Sequence, residues 1–571
     1  MTSPPVPALP AGIRHESLEV GAAPVVRRFL ERLDLPGLFD RHLPRLPGRQ
    51  PHLPTSTVLC VLLSNLLLAR EPLYGIAAWA ARFVPEHLGL LPEQSARLND
   101  DRCGGALDHL FRADRASLLT AVALRTIRVF PLALDELHQD TTTVTLSGEF
   151  ADQPPAVQTE RPARITHGHN KDHRPDLKQL LYNRTVTSDG AVPIHCKIHD
   201  GNTPDSKVHR ETWRMLCQIV GGPDFLYVAD SKLCNQRDMG LITRNKGRFL
   251  TMMPRTRAEH ARFLAWVQDN QANWSEVSRQ NNPRGKQKPQ VVYRAVEDSP
   301  GSQEGYRILW YHSSQKQERD CQARRKKLTK IGKRLRRLRP PGRGQGFKTE
   351  QAAREAAQRV VEKAKVQDWL TVVIAEVARV EHVQVGRGRP GPNTLYKQVQ
   401  IKSYQIEVEN NEEALRRAAR CDGLFALMSN DNSLSLKDAL EKYKYQPYAE
   451  KRHEQLKRVF AVRPVWLKNA RRVESLLWLY HLVELVQALL EREVRKQMGE
   501  AEMTSLPLYP EKRPSREPTS ELVLNALQGL RRHRLLDEQG QEIYRFHDQV
   551  SEVARTVLDL LRIDCSAYGL S

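Results

Sequence analysis

Strand and helix signals alternate from Leu137 to Pro254, break off, and resume at Gly423. The run "LHQDTTTVTL" (Leu137–Leu146) is rich in β-branched residues, whose restricted χ1 angles favour extended backbone. "KQLLYNRTVTSDGAVPIHCKIHDGN" reads as two strands joined by a turn at Ser188-Asp189-Gly190. A helix ("KVHRETWRMLCQIV"), a buried strand ("FLYVAD"), a helix from about Asn235 and a strand ("RFLTMMP") follow. Such alternation predicts an α/β domain. Between about Arg255 and Arg420 the rhythm is lost to short strands ("QVVYRAV", "YRILWYHSS", "SYQIEVE") around a basic helical segment, and "GLFALMSND" (Gly423–Asp431) restores it.

At 571 residues the chain exceeds a single core, and roughly three or four domains are expected. The pattern divides into a Pro-rich tail (1–15), a helical N-terminal region (16–127), a first α/β part (128–255), an insertion (256–420), a second α/β part (421–500) and a C-terminal linker with a helical segment (501–571). Helical spacing marks "APVVRRFLERLDLPGLFDRHL" and "TSTVLCVLLSNLLLAREPLYGIAAWAARF" in the N-terminal region. The stretch Leu476–Leu490, interrupted by His481, Glu484 and Gln487, is too short to span a bilayer and reads as a buried core helix.

A net charge of +21 and a pI near 9.7 point to a polyanionic partner. The densest cations lie between Arg324 and Arg343, with eleven Lys or Arg and no acid. Such a run repels itself, and a phosphate backbone is the natural counter-charge; Arg334, Arg336, Arg337 and Arg339 are candidate DNA contacts. The eight cysteines are scattered without a CxxC pair, which fits a reducing cytoplasm better than a disulfide framework. The start of the chain lacks the charged and apolar regions of a secretory signal.

Asp140 breaks an otherwise good strand, since Asp is depleted in strands. Asp230 ends the apolar run of "FLYVAD", and strand ends gather functional groups at one edge of an open α/β sheet. In "YKYQPYAEKRHEQLKRVF", Glu450 and Glu454 share a helix face one turn apart. Two strand carboxylates and one helix carboxylate are the oxygen ligands that a pair of Mg²⁺ ions needs for phosphoryl transfer, at a separation of about 4 Å.

With these residues the sequence resembles the DDE insertion-sequence transposases, over roughly Glu16 to Met498. The opening "ESLEVGAAPVVRRFLERLDLPGLFDRHLP" is similar to the DUF4277-like N-terminal region of such proteins, and "GHNKDHRPDLKQLLYNRTVTSDGAVPIHCKIHDGNTPDSK" to their central part. The resemblance implies an RNase H-like catalytic core interrupted by a β-rich and helical insertion, with catalytic, metal-binding acids at Asp140, Asp230 and Glu450. The family's Tyr-Arg-Glu-Lys signature falls on Tyr443, Gln446, Glu450 and Lys457, implying DNA contacts at Tyr443, Gln446 and Lys457. Gln446 stands where the signature has Arg, so that phosphate-binding role could pass to Lys444 or Lys451. Pro447 suits only the first turn of a helix, which separates Tyr443 from the helix of Glu450. Glu454 is the alternative third acid. The implied activity is Mg²⁺-dependent cleavage of the element's terminal inverted repeats and joining of their 3′-hydroxyls to target DNA, with Mn²⁺ able to substitute and a homodimer pairing the ends.

Other motifs compete less well. His167, His169 and His173 could suit zinc, but no fourth ligand is near in sequence. "PGRGQGFKT" misses the P-loop spacing, because Phe347 separates Gly346 from Lys348. Trp466 reads as core packing. A structure-specific nuclease on the same fold, or a DNA-binding derivative with a degraded site, remains the alternative function.

Overall fold

The computed structural model describes residues 12–45, 51–146, 150, 161–169, 174–204, 207–282, 285, 287–298, 301–340, 346–452, 454 and 469–570. It is a mixed α/β structure of two compact units, one formed by residues 1–250 and 441–571 and the other by 251–440.

The first unit opens with β1 (Arg14–Glu19) and six helices: α1 (Ala23–Arg32), α2 (Leu35–His42), α3 (Thr55–Leu68), α4 (Ile76–Ala80), α5 (Asp100–Arg112) and α6 (Arg115–Val129). β2 (Glu136–Leu146), β3 (Lys178–Thr187) and β4 (Pro193–Asp200) then form an antiparallel meander, with the expected turn at 188–190. The chain crosses through α7 (Val208–Val220) to β5 (Leu226–Ala229), which pairs with β2 in parallel, and through α8 (Gln236–Arg244) to β6 (Arg248–Met252). The strand order is β4-β3-β2-β5-β6. Local chemistry sets the ends of these helices. Gly221 stops α7 at φ 90°, a backbone conformation that side chains disfavour, and the Asn235 side chain caps α8 by accepting from the Asp238 amide.

The second unit contains α9 (Ala258–Asp269), β7 (Ser275–Gln280), β8 (Val291–Asp298), β9 (Arg307–Ser313), α10 (Ser314–Arg336), α11 (Glu350–Ala364), β10 (Leu370–Gln384), β11 (Tyr396–Asn410), α12 (Glu412–Ala419) and β12 (Leu424–Ser429). Four strands pair in the order β12-β9-β8-β7, while β10 and β11 form a separate long hairpin. A small core of Ile331, Leu335, Ala353, Ala357, Val360, Val361, Leu370 and Ile406 joins α10, α11 and the hairpin root. α13 (Leu436–Tyr443) leads back towards the first unit.

There the chain forms α14 (446–452), α15 (Ala470–Glu500), α16 (Ser520–Asn525), β13 (Arg531–Leu536), β14 (Glu542–His547) and α17 (Glu552–Leu560). α15 is the central post: Leu477, Leu479, Ala488 and Leu489 are wholly buried, in one cluster with Leu59 and Leu63 of α3 and Leu107 of α5.

Several expectations change. "ESLEV" overlaps β1 rather than a helix, because Arg14–Glu19 pairs with β13 at the far end of the chain; the C-terminal region accordingly holds a β-hairpin as well as helices. The N-terminal helices and the C-terminal region share one core with α15 and the meander, so they do not form separate cores. "SYQIEVE" is part of a 15-residue strand, and Gly423–Asp431 holds β12, which belongs to the second unit by its pairing with β9. α15 is also longer than the apolar run suggested, at 31 residues. It is long and apolar enough to cross a membrane, but 94% of its most apolar window is buried inside the structure.

Candidate functional site

The meander and β5 set two of the predicted acids. β2 and β5 are paired in parallel as Glu136↔Leu226, Leu137↔Tyr227 and His138↔Val228. Asp140 and Asp230 each lie two residues beyond the last of these pairs, and β5 ends at Ala229, one residue before Asp230. Both aspartates are half-buried. The Asp140 carboxylate accepts from the Thr141 amide at 2.9 Å, and Asp230 from the Lys232 amide at 2.9 Å.

The third acid arrives on α14. Gln446, Ala449 and Arg452 recur at three-residue spacing and are buried, while Glu450, Lys451 and Glu454 are exposed. Each buried residue ties the helix down. The Gln446 amide donates to the Gln139 carbonyl at 2.8 Å, and its oxygen meets His138 Nδ1 at 3.1 Å. His138 Nε2 in turn lies 2.7 Å from Glu136 Oε1, and Lys442 also pairs with Glu136. Burial alone would raise the Glu136 carboxyl, but the hydrogen bonds from His138 and Lys442 outweigh it and hold the group below its ordinary value. Arg452 pairs with Glu491 of α15 at 2.7 Å and donates to the Gly190 carbonyl at 3.3 Å.

Arg184 connects all of these parts. It stands directly opposite Asp140 in the β2–β3 pairing and is 1% exposed. One guanidinium nitrogen donates to the Ala449 carbonyl at 3.1 Å, next to Glu450, and another pairs with Glu484 of α15. Burial opposes its charge, but Glu484, with Asp140 among the weaker contributors, holds the guanidinium above its usual range.

Tyr443 feels the charge of all three acids. Burial, and then the negative charges of Asp230, Glu450 and Asp140, push its phenol up, so three carboxylates distant in sequence act on one hydroxyl. Among the described residues, no group of three His, Cys, Asp or Glu is gathered closely enough to hold a metal ion. The chemistry of the set still fits a hard cation, since all three groups offer carboxylate oxygen.

The other predicted residues divide. Tyr443 ends α13 and lies outside the helix of Glu450, as Pro447 requires. The DNA-contact expectation for Gln446 is corrected: it is 5% exposed with both ends of its amide engaged, so it pins α14 to β2. Lys451 is exposed beside Glu450, whereas Lys444 is half-buried. Lys457, Trp466, His173 and Arg343 lie outside the described residues. On and just after α10, Arg334, Arg336, Arg337 and Arg339 are exposed, while Ile331 and Leu335 turn into the core. Arg324, at the head of the run, is committed elsewhere, to a bidentate pair with Asp422.

Arg184, Glu484 and Arg452 escaped the sequence reading. The available signal was Glu484 and Glu491, two turns apart on one face of an apolar helix. Buried acids at such spacing call for buried cations.

A family model described as a domain of unknown function (DUF4277) matches residues 15–124, from β1 through most of α6. No curated protein matches the chain. Among solved structures, the chain is similar to one described as a cryo-EM structure of the piggyBac transposase synaptic complex with hairpin DNA. The identity is 8% and the TM-score 0.35, over 97% of this chain and 84% of that one.

Proposed function

We propose that the chain is a transposase of a bacterial insertion sequence, a DNA strand-cleaving and strand-transferring enzyme with an RNase H-like core. Asp140, Asp230 and Glu450 are its metal-binding acids. The observation that carries this reading is the convergence on β2: Asp230 follows the strand paired in parallel with it, and Arg184, opposite Asp140, also holds the carbonyl next to Glu450.

In this reading the chain's own groups position the reaction. Arg184 and Gln446 fix α14 against the meander, so that Glu450 is presented from a held helix rather than from a mobile loop. The exposed arginines of α10 contact duplex phosphates, and Lys451 is available to a phosphate near the acids. Water hydrolyses the phosphodiester at the element's end and frees a 3′-hydroxyl. That hydroxyl then attacks a target phosphodiester in line, one P–O bond forming as another breaks, with no covalent protein intermediate. Two Mg²⁺ ions bound by the three carboxylates would activate the attacking oxygen and stabilise the leaving one.

The test uses purified full-length protein, Mg²⁺ and a labelled duplex carrying the element's end. Cleaved and joined products are expected, and both are lost with Asp140→Asn. Cleavage without joined products would instead identify a nuclease.

A further inference from the structure

The β10–β11 hairpin changes character along its length. At its root Val372, Ile374, Ile406 and Val408 lie on one face and pack against the core of the second unit. Farther out on that face the register sets His382 opposite Gln398 and Gln384 opposite Tyr396. The apolar stripe gives way to hydrogen-bonding side chains where the core ends. A bridge to Phe347 pins β11 at Tyr404; from there to Leu395 the ribbon runs roughly 30 Å, at about 3.4 Å per residue. Two strands alone are marginal in water. On its two faces this ribbon leaves Val380, Val385, Leu395 and Tyr396 52%, 54%, 74% and 52% exposed.

Charge selects the partner. From Val380 to its partner Gln400 the tip region carries Arg387, Arg389 and Lys397, with Glu381 the acid among them, whereas the root carries Glu376, which pairs with Lys402, and Glu407 and Glu409. A second copy of so cationic a tip would repel it, and a polyanion would not. The tip itself reads "VGRGRPGPN", and Arg387 and Arg389 are exposed. Gly386 and Gly388 adopt φ values of 104° and 141°, which residues with side chains disfavour. The loop is still held in shape. The Val385 amide donates to the Leu395 carbonyl at 2.8 Å, Gln384 to the Gly388 carbonyl at 3.1 Å, and the Gly391 amide to the Thr394 hydroxyl at 2.7 Å. Two guanidinium groups are thus offered by a backbone with almost no lateral bulk.

The minor groove of B-DNA, about 6 Å wide, excludes a helix but admits such a strip. A·T pairs present only acceptors there, which suit arginine donors, whereas G·C pairs add the guanine amino group. A·T tracts also narrow the groove and deepen its negative potential. We infer that Arg387-Gly388-Arg389-Pro390 is a minor-groove arm that prefers A·T-rich duplex. This rests on the reading of the chain as a DNA-acting protein, and adds a sequence preference and a groove to it.

The test titrates the full chain, by fluorescence anisotropy, against three duplexes of equal length: A·T-rich, G·C-rich, and the latter with inosine for guanine. Inosine removes the minor-groove amino group and leaves the major-groove acceptors. The native protein should bind the A·T-rich and inosine duplexes about tenfold more tightly than the G·C-rich one. The double variant Arg387→Gln/Arg389→Gln should bind all three nearly equally. Equal binding by the native protein, a preference for A·T that inosine does not reproduce, or a preference that survives the double variant would each overturn the arm while leaving DNA action intact. A double variant that changes oligomeric state by light scattering, with its preference unchanged, would reassign the tip to protein contact. Absence of binding to any duplex would defeat the arm and the proposed function together.

Discussion

Arg184 shows most directly how single side chains hold the site. It is buried, opposite Asp140, bonded to the Ala449 carbonyl and paired with Glu484. Removing one partner of a buried ion pair strands the other charge. Glu484→Ala should therefore lower unfolding free energy by about 3–5 kcal/mol, whereas Asp176→Ala, at an exposed pair with Arg174, should change it little; chemical denaturation measures both. For the proposed acids, Asp140→Asn, Asp230→Asn and Glu450→Gln should each abolish cutting and joining with DNA binding retained. Combining them should cost no more than one alone, since ligands of one site act as a unit. Activity retained in Glu450→Gln but lost in Glu454→Gln would move the third acid one turn along α14. The proposed acids stand out in the sequence because carboxylates are conspicuous in a β-branched run and at a strand end. Arg184 does not, because its value lies in partners some 300 residues away.

Among elements, α10 makes the most exposed use of the basic run. Its apolar residues face the second unit's core, and Arg334 and Arg336 face outwards, with Arg337 and Arg339 following. Replacing these four with Gln should weaken binding to unrelated duplexes alike and flatten the slope of log affinity against log salt by up to about four units, near 0.9 for each phosphate contact. Binding isotherms at several salt concentrations give the slope, and an unchanged value would make the run a solvated face. Elements defined by local pattern were readable in advance: β2, the β3–β4 hairpin with its Ser-Asp-Gly turn, α7, β5, and the break before α14 at Pro447. Those defined by distant pairing were not. β1 needs β13 to be a strand, and the full extent of β10 appears only once β11 is laid against it.

At the scale of the molecule, the first unit buries several histidines in neutral form. Burial pushes His195 and His199 down to about 4 and His481 to about 3. In the unfolded chain these imidazoles take up protons near pH 6.5, which the native state resists. Their contribution to stability is full above about pH 6.5 and is lost as pH falls from there towards about 4. Calorimetric melting of the first unit should accordingly occur at a lower temperature at pH 5 than at pH 7.5, and His481→Gln should flatten that dependence.

The division of the chain also bears on how it is made. The first unit is begun at the N-terminus but needs α15, which ends at Glu500, while the second unit is one continuous stretch from 251 to 440. At about 5–20 residues per second, the roughly 250 residues from Leu250 to Glu500 (500 − 250) take on the order of 10–50 s to emerge. Throughout that interval the meander has been synthesised but its central helix has not. The segment born second is thus complete first, and the segment born first spends its early life with apolar strands open to other nascent chains and to whatever holds them apart.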